Sequence, residues 1–500
     1  MLPRDAPSPT PLAFHGGLAG ALAPFALFLA GVAALALSGA PDERGFWPVL
    51  LAALALGLAL ARDRQGYAEA AIGGMSRPLV AVMILAWLLA GVLAAVMNAS
   101  GFVEGLVWLA REAGVSGGGF VAVAFLLAAV VSTATGTSLG TILLVAPLVY
   151  PAGGSLGADP VWLIGAILGG ATFGDNVSPV SDTTIASAAT QEADLGGVVR
   201  SRLRYALPAG AAALALFALL GGAGPDEPGG GGTSGPPPEE EAEAAPPAAA
   251  PQEAGEPADP GRPAAPERPG APPAGPAGLP MLLAPAVAVA LLLARRHLLE
   301  GLLAGVAAAL VLGLSLGLLA PSDVLFIDRE AFVARGLVVE GMERAVGVSV
   351  FTLLLMGLVG GLEATGVLER LVGLAEARAR TVRGAELWTA GAASGAVLLT
   401  THSVVAILTV GAFTRRTGER FGVGRYRRAN LLDVTVCTWP FLLPYCIPTI
   451  LAASTTAAGA AFGMPRVSPF AAGLANLHSW GLLAMLLLAV FGGYGRRQGG

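Results

Sequence analysis

Apolar runs of transmembrane length, separated by short clusters of Arg, Gly, Pro and Ser/Thr, recur along almost the whole chain. Residues 79–97, 302–320 and 470–490 are each largely apolar, and about 20 such residues cross a bilayer as a helix. The run 17–37 has the same length. A secretory signal ending at Ser38-Gly39-Ala40 is the alternative there, and the length favours a span. The pattern predicts an all-α polytopic membrane protein.

One segment interrupts it. Residues 223–279 are Pro, Gly, Ala and Glu with almost no large apolar side chain. Such a composition buries too little surface to offset the entropy of ordering it. A disordered linker is therefore expected between an N-terminal transmembrane repeat, 1–222, and a C-terminal one, 280–500.

The two halves resemble each other. NASGFVEGLVWLAR at 98–111 and EATGVLERLVGLAE at 363–376 are 265 positions apart and agree at seven of fourteen positions. The same displacement aligns Thr135 with Thr400, Ser138 with Ser403, Pro179 with Pro444 and Thr184 with Thr449. Cytoplasmic loops of membrane proteins are enriched in basic residues, and Arg clusters at 62–77, 200–204, 295–296, 378–383, 415–428 and 496–497. Placing every cluster inside requires residues 120–150 and 387–413 to be re-entrant hairpins. Each half then has about five spans and one hairpin, and the odd number inverts the second half, the plan of inverted-repeat transporters with discontinuous helices at the midplane. Both termini fall in the cytoplasm and the linker in the periplasm.

Composition closes off other classes. Of 500 residues, 55% are hydrophobic and 13% charged, about half the charge of a soluble domain. Mean hydropathy is +0.71. All 29 basic residues are Arg, which with the abundant Ala, Gly and Pro points to a GC-rich bacterial genome and a multi-pass inner-membrane location. The net charge of −5 is concentrated in the linker and gives no case for a nucleic-acid partner. Cys437 and Cys446 lie in one apolar segment and read as small core residues.

Non-helical backbone at membrane depth is tolerated only where protein covers it or where it lines a cavity. Breaks in the apolar runs are thus the candidate sites. One is the first hairpin tip, with Thr135, Thr137 and Ser138. Another is GDNVSPVSDTT, which carries Asp175, Asn176, Ser178, Asp182 and Thr183. A carboxylate at the bilayer centre costs at least about 2.5 kcal/mol, so two within eight residues need a reason. Pro179 opens the helix and exposes carbonyls. With the hydroxyls they form an oxygen-only set suited to a hard cation such as Na⁺, held by Asp175 and Asp182. The second half offers Thr401, His402 and Ser403 at its hairpin tip, Asp433 deeper in a helix or at its cytoplasmic mouth, and Glu363 at a helix end as further contributors. Opposite Asp175 and Asp182 in the repeat stand Pro440 and Ile447, so the acidic pair has no symmetric copy.

GATFGDNVSPVSDTTIASAA at 170–189, preceded by TGTSLGTILLVAP, resembles the signature of the NhaC-type Na⁺/H⁺ antiporters within the ion transporter superfamily. The likeness extends to LLTTHSVVAIL at 398–408 and RRANLLDVTVCTWPFLLP at 427–444. The resemblance implies an inverted-repeat fold with paired hairpins and exchange of Na⁺ for H⁺ across the inner membrane, the ions and the bilayer being the only partners called for; a homodimer is one assembly open to it. A carboxylate site that takes either Na⁺ or H⁺, with Asp175 and Asp182 as a coupled unit, gives exchange by alternating access. No cofactor is expected beyond the transported ion. A carrier of organic acids or amino acids coupled to Na⁺ or H⁺ is the alternative on the same fold, and the absence of Arg from both polar tips favours the bare cation. An enzyme is not expected, since there is neither a metal-spaced His cluster nor a GxSxG elbow.

Overall fold

Helices start where the sequence supplies caps. Side chains of Asp63, Thr137, Asp159, Asp194, His297, Thr381, Ser468 and Asn476 each accept a hydrogen bond from an amide of the first helical turn they precede. Pro78 and Pro160 occupy first-turn positions where no amide is needed. The computed structural model describes residues 11–37, 44–222, 275–294, 296–329 and 332–496.

The first half contains α1 (Gly17–Leu37), α2 (Phe46–Leu60), α3 (Arg64–Met75), α4 (Pro78–Ala99), α5 (Phe102–Glu112), α6 (Gly117–Thr135), α7 (Ser138–Val149), α8 (Pro160–Val177), α9 (Asp182–Thr190) and α10 (Leu195–Leu220). The second contains α11 (Leu283–Leu293), α12 (Leu298–Ser315), α13 (Pro321–Val324), α14 (Leu337–Glu343), α15 (Val346–Glu363) and α16 (Val367–Arg378). It continues through α17 (Val382–Thr400), α18 (Ser403–Arg420), α19 (Arg425–Val436), α20 (Ile447–Thr455), α21 (Pro469–Leu474) and α22 (Leu477–Val490). The expected all-α membrane class is borne out: among the described residues, seven helical stretches are long and apolar enough to cross a membrane. Among the described residues a short antiparallel pair, β1 (Phe326–Asp328) and β2 (Val333–Arg335), interrupts the helices.

Most of the 223–279 linker lies outside the described residues. Its last part differs from the expectation: Pro276–Leu282 is a 3-10 helix leading into α11 and packs on α5. Gly278 makes this contact possible, since a Cβ there would meet the Gly101 carbonyl oxygen at 1.9 Å.

Helix boundaries recur at the 265-residue displacement. The starts of α5, α6, α7, α8 and α9 (102, 117, 138, 160, 182) reappear as the starts of α16, α17, α18, α19 and α20 (367, 382, 403, 425, 447). Gly136 and Thr401, also 265 apart, both sit in left-handed backbone at φ +70° and +54°. At the places where re-entrant hairpins are expected, α6 and α7, and likewise α17 and α18, are joined by two residues. The halves interleave rather than sit side by side: α3 packs on α15, α4 on α12 and α14, and α10 on α19 and α22.

Candidate functional site

Two broken helices set the site. In the first half α8 stops at Val177, Ser178 turns the chain extended (ψ 130°), and α9 restarts at Asp182. In the second, α19 stops at Val436 and α20 restarts at Ile447, with a 3-10 turn over Trp439–Phe441 between them. α6 fixes α8 by close backbone approach: a Cβ on Gly170 would meet the Phe125 carbonyl oxygen at 2.2 Å, and one on Gly174 would meet the Ser132 Cβ at 2.4 Å. The α6–α7 tip lies directly on the α8–α9 break, because a Cβ on Gly136 would meet Val180 at 2.7 Å. The second tip is tied to its own break by Ser403 Oγ donating to the Val436 carbonyl (2.9 Å) and Tyr445 Oη donating to the Leu398 carbonyl (3.1 Å).

These four features surround a cavity of about 290 Å³, lined by Thr137 and Ser138, Asp175 and Asp182, and His402 on the second tip. Pro440 and Ile447, the repeat counterparts of the two aspartates, line it too.

Asp175 is the buried carboxylate of this cavity, 8% exposed. Ser138 Oγ donates to one of its oxygens at 2.7 Å and Ser181 Oγ to the other at 2.6 Å. Hydroxyls from the hairpin tip and the helix break thus converge on one carboxylate, a strong charge-assisted arrangement. Ser181 also meets Thr183 Oγ1 at 3.0 Å. Asp182 lines the same cavity as Asp175. It is exposed, in the first turn of α9, and faces the cavity without a hydrogen bond to Asp175 or its donors. The reason is local: each helical residue turns the side chain by about 100°, so Asp182 is exposed while Thr183 and Thr184 beside it are buried.

The remaining candidates divide. Thr137 caps α7, accepting from the Gly140 amide at 3.2 Å, while Thr135 Oγ1 is buried without a hydrogen-bond partner. Ser178 is fully buried and accepts from the Val180 amide at 3.3 Å, so it shapes the break. Thr401, His402 and Ser403 all line the cavity, and Thr401 Oγ1 and His402 Nδ1 have no partner. Glu363 does not line it; it forms an ion pair with Arg77 at the start of α4.

Asn176 and Asp433 turn away from the cavity into a buried network. Asn176 Nδ2 donates to Asp433 Oδ2 at 2.8 Å, and Arg202 Nη1 reaches the same oxygen at 2.8 Å. Arg202 also donates to the Asn176 carbonyl (2.9 Å), Thr184 Oγ1 (2.6 Å), Ser187 Oγ (3.1 Å) and Asn430 Oδ1 (3.2 Å). Asp433 is therefore charge-balanced and is not a second free carboxylate. This corrects the assignment of 200–204 to an Arg-rich loop, since Arg202 is fully buried on α10. Arg427 and Arg428 of the 415–428 cluster are likewise buried, on α19, against Glu386 and Gln191. A signal for Arg202 exists in the sequence: Val198, Tyr205 and Ala209, at −4, +3 and +7, are apolar and place it on the buried face of α10.

Four helices start at the cavity, α7 at Ser138, α9 at Asp182, α18 at Ser403 and α20 at Ile447. Each N-terminus carries roughly half a positive charge, which balances the two aspartates facing them.

Residues 26–221 match the model of the Na⁺/H⁺ antiporter family. A malate-2H⁺/Na⁺-lactate antiporter of Bacillus subtilis is 32% identical over 169 residues, 34% of this chain and 36% of that protein. The Na⁺/H⁺ antiporter NhaC of Alkalihalophilus pseudofirmus is 32% identical over 153 residues, 31% of this chain and 32% of that protein. An arginine/ornithine antiporter of Halobacterium salinarum is 38% identical over 102 residues, 20% of this chain and 21% of that protein. The chain thus matches these relatives over about a third of their length or less. The family model and the NhaC relatives support the NhaC-type family to which the motifs point.

Proposed function

Starting from a first half that matches the Na⁺/H⁺ antiporter family, we propose that the protein is a secondary antiporter exchanging Na⁺ for H⁺ across the bacterial inner membrane. The observation that carries this reading is Asp175. A buried carboxylate held by one hydroxyl from a hairpin tip and one from a helix break lies open to a cavity on its remaining side. Na⁺ and H⁺ compete for its oxygens, with Asp182 drawing the cation in. The recurring helix boundaries support two structural repeats, and movement of the hairpins and broken helices against the other spans would alternate access.

The test is Na⁺-dependent dissipation of an imposed pH gradient by purified protein in liposomes. Asp175→Asn abolishes exchange in a folded protein, and Asp182→Asn weakens apparent Na⁺ affinity. Wild-type exchange by Asp175→Asn would refute the site.

A second reading draws on cavity size. About 290 Å³ holds several water volumes, far more than one Na⁺ needs, and four helix N-termini face it. Both features suit an organic acid co-transported or exchanged with the cation, as the name of the Bacillus subtilis relative describes for that protein. Uptake of labelled malate or lactate driven by a Na⁺ gradient separates the two readings.

A further inference from the structure

A second cavity, of about 50 Å³, lies beyond the first. Its walls continue the same three helices. On α4, Met83 and Ala86 line the large cavity and Ala90 and Ala94 the small one, one turn apart along a single face. On α7 the lining passes from Ser138 to Pro147, and on α20 from Ile447 to Ser454 and Thr455. Only Trp87 and Leu143 line both cavities, and they are 2% and 4% exposed. The small cavity reaches the exposed Arg344, which marks the opposite end of the seam from Leu79. From residue 79 to residue 94 the helix rises about 22 Å, most of the thickness of a hydrocarbon core.

We propose that this α4–α7–α20 seam is the closed half of the translocation path and that Trp87 and Leu143 form its gate. The proposal rests on the reading of the protein as an alternating-access carrier. Beyond the gate Ala90, Gly91 and Ala94 leave room on the α4 side, Val348 and Leu451 supply apolar wall, and Ser454 and Thr455 bring hydroxyls. A cation leaving Asp175 thus finds hydroxyl oxygens past the gate. α7 also has the means to move. Pro147 lies within it and has no amide to give the carbonyl four residues earlier, which is that of Leu143. The helix is weakened at the gate residue itself.

The test uses Ser454→Cys and a membrane-impermeant thiol reagent added on the side to which the large cavity opens, with Cys437 and Cys446, both fully buried, as the unlabelled background. Labelling is slow at rest and rises at least tenfold when ion gradients drive turnover. Trp87→Ala and Leu143→Ala remove that difference by raising the resting rate, and they leak H⁺ without Na⁺. Ala94→Trp plugs the seam: it stops exchange but keeps the thermal stabilisation that Na⁺ gives from the large cavity. Equal labelling of Ser454→Cys at rest and in turnover, or wild-type exchange by folded Ala94→Trp, would overturn the gate. If the cargo is an organic acid, the labelling pattern persists under that solute's gradient while Na⁺/H⁺ exchange fails, so the two readings fall separately.

Discussion

Arg202 Nη1 lies 2.8 Å from Asp433 Oδ2, with neither side chain reaching solvent, and this pair bolts α10 of the first half to α19 of the second. Removing one member leaves the other charge buried and uncompensated, a loss of about 3–5 kcal/mol. Arg202→Met and Asp433→Asn should therefore each lower stability severely. Arg202→Met combined with Asp433→Leu should lie far closer to wild type than the sum of the single changes. Chemical denaturation of the detergent-solubilised protein, run as a double-mutant cycle, checks this.

At the cavity, the two hydroxyls on Asp175 are separable. Ser138→Ala and Ser181→Ala each remove one hydrogen bond to a charged group, worth about 1.5–3 kcal/mol. The Km for Na⁺ should rise by roughly tenfold or more in each, from the same magnitude. Thr183→Ala, whose hydroxyl reaches Ser181 but not Asp175, should shift it less. Initial rates of Na⁺-driven H⁺ movement across a range of Na⁺ concentrations decide the order.

How much of this was legible beforehand depends on the kind of signal. The break at Ser178-Pro179 and the tip at Gly136-Thr137 are written locally, because Pro lacks an amide and left-handed backbone favours Gly. The repeat displacement carried the second break and tip over, even though Thr401 stands where Gly would be easier. Asp182 is exposed while Thr183 beside it is buried, because one helical position decides between the two, and the spacing of polar residues does not say which. Arg202 was misplaced because an Arg near an apolar run reads as a loop charge until its partner is known, and Asn430 and Asp433 lie more than two hundred residues on.

The ion-pair cluster around Glu386 offers a contrast in exposure. Glu386 is 1% exposed and pairs with both Arg427 and Arg496. Arg427 is buried and Arg496 only partly so. Glu386→Gln strands the buried Arg427 and should cost about 3–5 kcal/mol. Arg496→Ala, at the partly exposed partner, should cost no more than about 1 kcal/mol. Thermal melting of the two variants side by side tests the difference.

The two hairpin tips predict opposite responses to one kind of change. Thr401 holds φ +54° at a cost of about 1–2 kcal/mol for a side chain, so Thr401→Gly should relieve backbone strain. Gly136→Ala adds that strain and drives a methyl into Val180, and it should destabilise the protein and disturb Asp175 through the shifted break. Melting temperature should rise slightly for the first variant and fall by several degrees for the second.

The interleaving of the halves also sets a schedule for biosynthesis. Arg202 is inserted with α10, while its ligand Asn430 emerges 228 residues later and Asp433 just after that. At about 5–20 residues per second the ribosome takes roughly 10–50 s to cover that distance. Throughout that interval the guanidinium has Thr184, Ser187 and the Asn176 carbonyl for company but no counter-charge, so the first half leaves the insertion machinery as an unfinished surface. Its closure waits on the synthesis of α19.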